Sequence, residues 1–110
     1  MINYELNQYG LRTKDMDFLN HTFRKFSVDK AVIFGSRARG NYRLGSDVDI
    51  ALWGNLSSSD LKKIHFLLEY DSPTLLVFDV MLFSEVANQS LKEQILREGK
   101  TIYQRAQIHA

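Results

Sequence analysis

"AVIFGSRARGNYRLGSDVDIAL", residues 31–52, is the stretch on which the reading turns. An apolar run ends at Gly35-Ser36, a basic segment carries Arg37, Arg39 and Arg43, and Asp47 and Asp49 then flank a single valine before apolar residues resume. The alternation across 47–53 predicts a strand with Asp47, Asp49 and Ala51 on one face and Val48, Ile50 and Leu52 on the other. Side chains two apart on a strand stand about 6.6 Å apart at the backbone. Two full charges at that spacing repel by about 2.5 kcal/mol at an effective dielectric near ~20. A protein with no use for the pair would gain by losing one member. A hard divalent cation reverses the sign: Mg²⁺ takes carboxylate oxygens at about 2.1 Å, keeps several waters and accepts phosphates as its other ligands.

The flanking chain reads as alternating helices and strands. "TKDMDFLNHTFRKF", 13–26, predicts a helix with Thr13 as N-cap and an apolar stripe of Met16, Leu19, Phe23 and Phe26. "KAVIF" is a short buried strand, "SRAR" a turn or two of helix ended by Gly40, and "NYRLGS" a loop. "SSSDLKKIHFLLEY", 57–70, predicts a capped helix with Leu61, Ile64, Leu67 and Leu68 inward, stopped at Asp71-Ser72-Pro73. "TLLVFDVMLF", 74–83, reads as a central strand apolar on both faces. A last helix uses Leu91 and Ile95, with Gly99 closing it, and an extended piece follows at Thr101–Tyr103. The expected class is α/β or α+β: one domain over 1–110, with helices packed on a small mixed sheet.

Asp79 interrupts the 74–83 segment on the face of Val77 and Met81. A lone buried carboxylate is costly unless paired or bound to a metal. If that strand lies beside 47–53, Asp79 completes a three-carboxylate cluster. Such a cluster can hold two ions about 3.5–4 Å apart for in-line phosphoryl or nucleotidyl transfer. Gly35-Ser36 supplies the complementary half: a strand ending in Gly-Ser presents backbone N–H groups to an anion, and glycine permits close approach. Arg37, Arg39 and Arg43 would screen triphosphate charge, with Arg37 favoured because it follows the turn directly. A P-loop is excluded, because Gly35 and Gly40 are followed by Asn41 and Tyr42 where that motif needs Lys and Ser or Thr.

Gly-Ser, a spacer, Asp-x-Asp and a later strand aspartate together resemble the DNA polymerase β-like nucleotidyltransferase superfamily. Within it, the chain resembles the minimal nucleotidyltransferases of prokaryotes over about residues 30–103. The loop "RLGSD" departs from the many relatives that carry a proline shortly before the Asp pair. The resemblance implies that Asp47, Asp49 and Asp79 are catalytic and bind two Mg²⁺ ions. It also implies that Gly35, Ser36, Arg37 and Ser46 contact the nucleotide and that ATP is the substrate. It further implies a small all-helical partner of the HEPN class, a toxin whose hydroxyl receives AMP, with this chain as antitoxin. A masking module of the same fold and a small-molecule nucleotidyltransferase are the alternatives.

The bulk properties fit these expectations. The chain has 110 residues, 45% hydrophobic and 25% charged, with a net charge of +1. These are ordinary values for a globular domain, and they give no sign of a general polyanion binder, so direct nucleic-acid binding is not expected. There is no cysteine, hence no disulfide or thiolate site. No apolar run suits a membrane span, and the N-terminus lacks signal-peptide character, so the expected location is cytoplasmic. Trp53 reads as a packing residue rather than a base-stacking one, and His21, His65 and His109 as structural or solvated. Tyr4, Tyr9 and Tyr103 read as packing residues, and Lys92, Glu93, Arg97, Glu98 and Lys100 as a solvated helix face.

Overall fold

A computed structural model describes residues 6–105. Helix α1 is Thr13–Arg24, β1 Val28–Phe34, α2 the single turn Ser36–Arg39, and β2 Val48–Gly54. Helix α3 is Ser58–Tyr70, β3 Phe78–Leu82, α4 Gln89–Glu98 and β4 Lys100–Gln104, with a 3₁₀ turn at Phe83–Glu85. Among the described residues the strands form one mixed sheet in the order β3-β2-β1-β4. β1 is antiparallel to both β2 and β4, while β2 and β3 run parallel. A parallel pair needs a crossover, and α3 supplies it.

Strand alternation gives the sheet two different faces. Ala31, Ile33, Val48, Ile50, Leu52, Val80 and Leu82 are buried and pack with Leu19 and Phe23 of α1 and Ile64 and Leu68 of α3. The opposite face carries a smaller cluster of Val32, Phe34 and Ala51, covered by Ile95 of α4 and Val86. Trp53 belongs to this second cluster, stacked on Phe83 at 4.5 Å with the Lys30 ammonium 4.3 Å from its ring centroid. Its face is occupied by packing, as its sequence context suggested. Tyr9 and Tyr103 pack against the larger core. His21 and His65 are exposed, whereas Tyr4 and His109 lie outside the described residues. No helix among the described residues is long and apolar enough to cross a membrane.

Two expectations need correction. The N-cap of α1 is Arg12, not Thr13: the buried Asp15 carboxylate accepts from the Arg12 N–H at 2.8 Å and from its guanidinium at 3.3 Å. The 74–83 segment is not a central ten-residue strand. Only Phe78–Leu82 is strand, and it lies at the sheet edge. The preceding backbone is diverted by its own hydroxyls, because Ser72 Oγ accepts from the Thr74 N–H at 3.3 Å and Thr74 Oγ1 from the Leu76 N–H at 3.2 Å. Such local side-chain bonds compete with a sheet ladder. Leu75 is consequently fully exposed. Helix α3 is capped as expected, with Ser57 Oγ accepting from the Asp60 N–H and Asp60 accepting in return from the Ser57 N–H.

Candidate active site

The three aspartates converge because of strand register. Asp49 of β2 is the direct partner of Asp79 in β3 and of Phe34 in β1. Residues opposite one another in a ladder share a face, so both carboxylates rise on the α4 side. Asp47 lies two residues earlier on that side, just before β2 begins. Ile95 of α4 packs with Val32, Phe34 and Ala51 on this face, and the side chains of Asp47 and Asp79 are left uncovered. Asp47 and Asp79 are exposed and Asp49 is half-buried. The expectation that Asp79 is a buried carboxylate is therefore corrected: an edge strand with no helix above it at that point leaves the side chain in water.

The charges act on one another. Burial pushes the Asp49 carboxyl above the ordinary aspartate range, the negative charges of Asp79 and Asp47 push it further, and the Arg39 cation partly offsets them. Like charges crowded in this way gain from a bound cation. Among the described residues no three acidic or histidine side chains close into a complete metal cage. The donor set fits a Mg²⁺ ion that takes one or two carboxylates here and fills its shell with water and phosphate oxygens.

Gly35-Ser36 stands directly against this cluster. Phe34 pairs with Asp49, so the chain leaves β1 beside the carboxylate. Gly35 adopts φ 76° and ψ −156°, a conformation essentially confined to glycine. A Cβ there would lie 2.6 Å from Asp49 Oδ2. Glycine is thus required twice, for the backbone conformation and for the close approach. The turn then enters α2, in which the Arg39 N–H donates to the Gly35 carbonyl at 3.1 Å. Ser36 is half-buried at the start of that turn.

The remaining candidates separate. Arg37 is 2% exposed, and its guanidinium does not face the opening. Its Nε and Nη2 donate to the Ser46 carbonyl at 3.0 and 2.9 Å, and Nη1 to the Tyr9 carbonyl at 2.9 Å. The phosphate role expected for Arg37 therefore gives way to a structural one. Ser46 Oγ accepts from the Arg43 N–H at 3.0 Å and so closes the loop before Asp47. Arg43 is exposed. Arg39 reaches across to α4 and bonds Glu98 at 3.0 Å. From the sequence Glu98 reads as part of a solvated helix face, because nothing in the periodicity of α4 signals a partner 59 positions away.

Comparison with known proteins identifies the chain at this point. The pattern of the Polymerase beta, Nucleotidyltransferase family matches residues 17–108, which include both glycine-serine turn and carboxylates. The chain belongs to this family. A relative in Methanocaldococcus jannaschii, named as a candidate protein adenylyltransferase, is 28% identical over 98 residues, taking in 79% of this chain and 92% of that one. Among solved structures, a toxin–antitoxin complex with AMP-PNP superposes with a TM-score of 0.63 at 20% identity, covering 83% of this chain and 74% of that one. A second, a toxin–antitoxin complex described as MntA-HpeT with a tyrosine replaced by alanine, superposes with a TM-score of 0.64 at 19% identity, covering 92% and 75%. At such identities the structures share the nucleotidyltransferase fold with this chain.

Proposed function

We propose that this nucleotidyltransferase transfers AMP from ATP to a hydroxyl on a partner protein, a small all-helical toxin of the HEPN class, and so acts as its antitoxin in the cytoplasm. The observation that carries the reading is the register Asp49↔Asp79 beside the Gly35-Ser36 turn. It sets an acidic cluster against an anion-accepting backbone, as transfer from a metal-bound triphosphate requires. The relatives support the acceptor class: one is named for protein adenylylation, and others are antitoxins solved with their toxins. In a further complex of this kind, two aspartates separated by one residue were changed to glutamate. Asp47 and Asp49 have that spacing.

In this reading, the Gly35 and Ser36 backbone and the Ser36 hydroxyl hold the phosphates, and Asp47 and Asp49 hold Mg²⁺, in one or two sites. Mg²⁺ when bound lowers the acceptor's pKa and neutralises the triphosphate and departing pyrophosphate. Asp79 accepts the acceptor's hydroxyl hydrogen bond and then its proton. The hydroxyl oxygen attacks the α-phosphorus, the bond to the bridging oxygen of the β-phosphate breaks, and pyrophosphate leaves. Exposure of Asp79 at an open sheet edge suits an acceptor that arrives on a separate chain.

The test mixes the chain with the product of its neighbouring gene, ATP and Mg²⁺, and weighs both proteins. A gain of about 329 Da on the partner, absent with Asp47→Asn, is the expected result for transfer of AMP to a hydroxyl. A tight complex without added mass would replace the reading with a masking module, and neither would point to a small-molecule acceptor. Asp79→Asn should lower turnover at least about 100-fold while leaving ATP affinity within a few-fold, as for a group acting mainly in the transition state. Equal losses in both would reduce Asp79 to a ligating role.

A further inference from the structure

The loop 41–47 must deliver Asp47 to the site, yet it carries little of its own to hold it there. Asn41, Arg43, Leu44 and Gly45 are exposed, Leu44 at 90%. The hydrogen bonds from the Ser46 N–H to the Arg43 carbonyl and from the Arg43 N–H to Ser46 Oγ close the loop on itself. Backbone bonds tie it to the body only at its two ends, from the Asn41 N–H to the Ser36 carbonyl at 3.2 Å and from the Val48 N–H to the Val77 carbonyl at 2.8 Å. Between them the side-chain tie comes from Arg37, whose Nε and Nη2 grip the Ser46 carbonyl, one residue before Asp47. The other end of the same guanidinium grips the Tyr9 carbonyl, and more loosely the Gly10 carbonyl at 3.4 Å. That turn is itself rigid, because Asn7 Oδ1 accepts from the N–H groups of Tyr9 and Leu11, and Leu11 is fully buried.

We propose that Arg37 is a positioning residue: it clamps Ser46 to the Tyr9–Gly10 turn and thereby sets where Asp47 stands relative to Asp49. The site around it is built for that task. The Tyr42 ring lies over the guanidinium at 4.9 Å. Gly10 has φ 73°, and a Cβ on it would lie 2.8 Å from Arg37 Nη1 and 2.6 Å from Tyr42 Cε2. The cation has no carboxylate within ion-pair distance among the described residues, so backbone carbonyls hold it. A planar fork can grip two carbonyls on opposite sides, which a lysine ammonium cannot do with the same geometry. A phosphate could reach Arg37 only by displacing Ser46 and moving Asp47 with it.

The inference rests on the reading of Asp47 as a metal ligand, and the test separates the two. Mn²⁺ serves as the probe ion, its binding measured by electron paramagnetic resonance in the presence of ATP, alongside amide hydrogen exchange of the protein. In Arg37→Lys, half-saturating Mn²⁺ should rise about tenfold, the scale of losses when the support of a metal ligand is removed. Amides of 43–47 should exchange faster while those of Ile33 and Ile50 keep their protection. Gly10→Ala leaves Arg37 in place and crowds the clamp, so it should loosen the same two readouts by a smaller factor. If Arg37→Lys also unprotects Ile33 and Ile50, the fold has been lost, and Gly10→Ala alone decides. A folded variant with wild-type Mn²⁺ binding and wild-type exchange at 43–47 would overturn the proposal. So would weaker ATP binding in metal-free buffer with Mn²⁺ binding unchanged, which would return Arg37 to the phosphates. If the unaltered chain binds no Mn²⁺, the metal reading of Asp47 fails, and the exchange data still report whether the clamp exists.

Discussion

The two faces of β2 and β3 come from the same twelve residues and have opposite uses. On one face, Val48, Ile50, Leu52, Val80 and Leu82 are sealed beneath α1 and α3. On the other, Asp49 and Asp79 stand side by side, half-buried and exposed respectively, beside the smaller cluster that Ile95 of α4 covers. The first face stabilises the fold through apolar burial, worth about 1.5–3 kcal/mol for each fully buried aliphatic side chain. The second lowers stability in the absence of a ligand, because like charges are held together and one is half-desolvated. Neighbouring residues on one strand should therefore respond to substitution in opposite ways.

The sharpest break of that contrast is at Asp49. Asp49→Asn should reduce AMP transfer by about a thousand-fold or more, equivalent to about 4 kcal/mol of transition-state stabilisation. Paired with Asp47→Asn it should also abolish the Mg·ATP thermal shift, which for a native-state ligand at a hundred times its dissociation constant amounts to about 2.7 kcal/mol. A full shift in the double variant would remove the pair from the binding site.

Ile50 is the next residue along and faces the other way. Ile50→Ala should cost about 2–5 kcal/mol in denaturant unfolding, through lost burial and the cavity left behind. Turnover per folded molecule should change little. A catalytic loss as large as that of Asp49→Asn at full folding would show that the two faces are not separable.

The smallest effect concerns pH. Burial and the neighbouring carboxylates raise the Asp49 pKa in the folded chain. Between the ordinary aspartate value and the raised one, the folded state therefore holds more protons than the unfolded state. Stability contributed by this group falls as pH climbs through that window. Ligand-free Asp49→Asn should thus be more stable than the parent at neutral pH, by less than about 1 kcal/mol because the group is partly exposed and screened. The difference should close as pH drops below the ordinary aspartate range. Melting curves of both proteins in metal-free buffer would show it, and a less stable variant at neutral pH would contradict the electrostatic account.

Much of the fold was legible in the sequence because its signals are local. The 47–53 alternation, the Ser57–Asp60 capping pair and the Gly35 break each depend on residues a few positions apart, and each element formed where those residues stand. The Asp47, Val48, Asp49 pattern raises the expectation of a cation, and it becomes specific only together with Gly35-Ser36 and a later strand aspartate. The 74–77 stretch differs because the competing interactions are just as local but carry a fainter sequence signal: the Ser72 and Thr74 hydroxyls take its backbone out of the strand.

Long-range geometry decided the rest. Whether Asp79 joins the pair depends on the β2–β3 register, since a one-residue slip would turn it to the opposite face. Its exposure goes with β3 being an edge strand, which a run of ten mostly apolar residues does not encode. Arg37 is the clearest case. In the sequence it is a cation beside a Gly-Ser turn; in the fold its charge is taken by carbonyls 9 and 28 positions away. A guanidinium binds whichever acceptors the folded chain brings to it, and that choice is made only when the N-terminal turn, α2 and the loop before Asp47 come together.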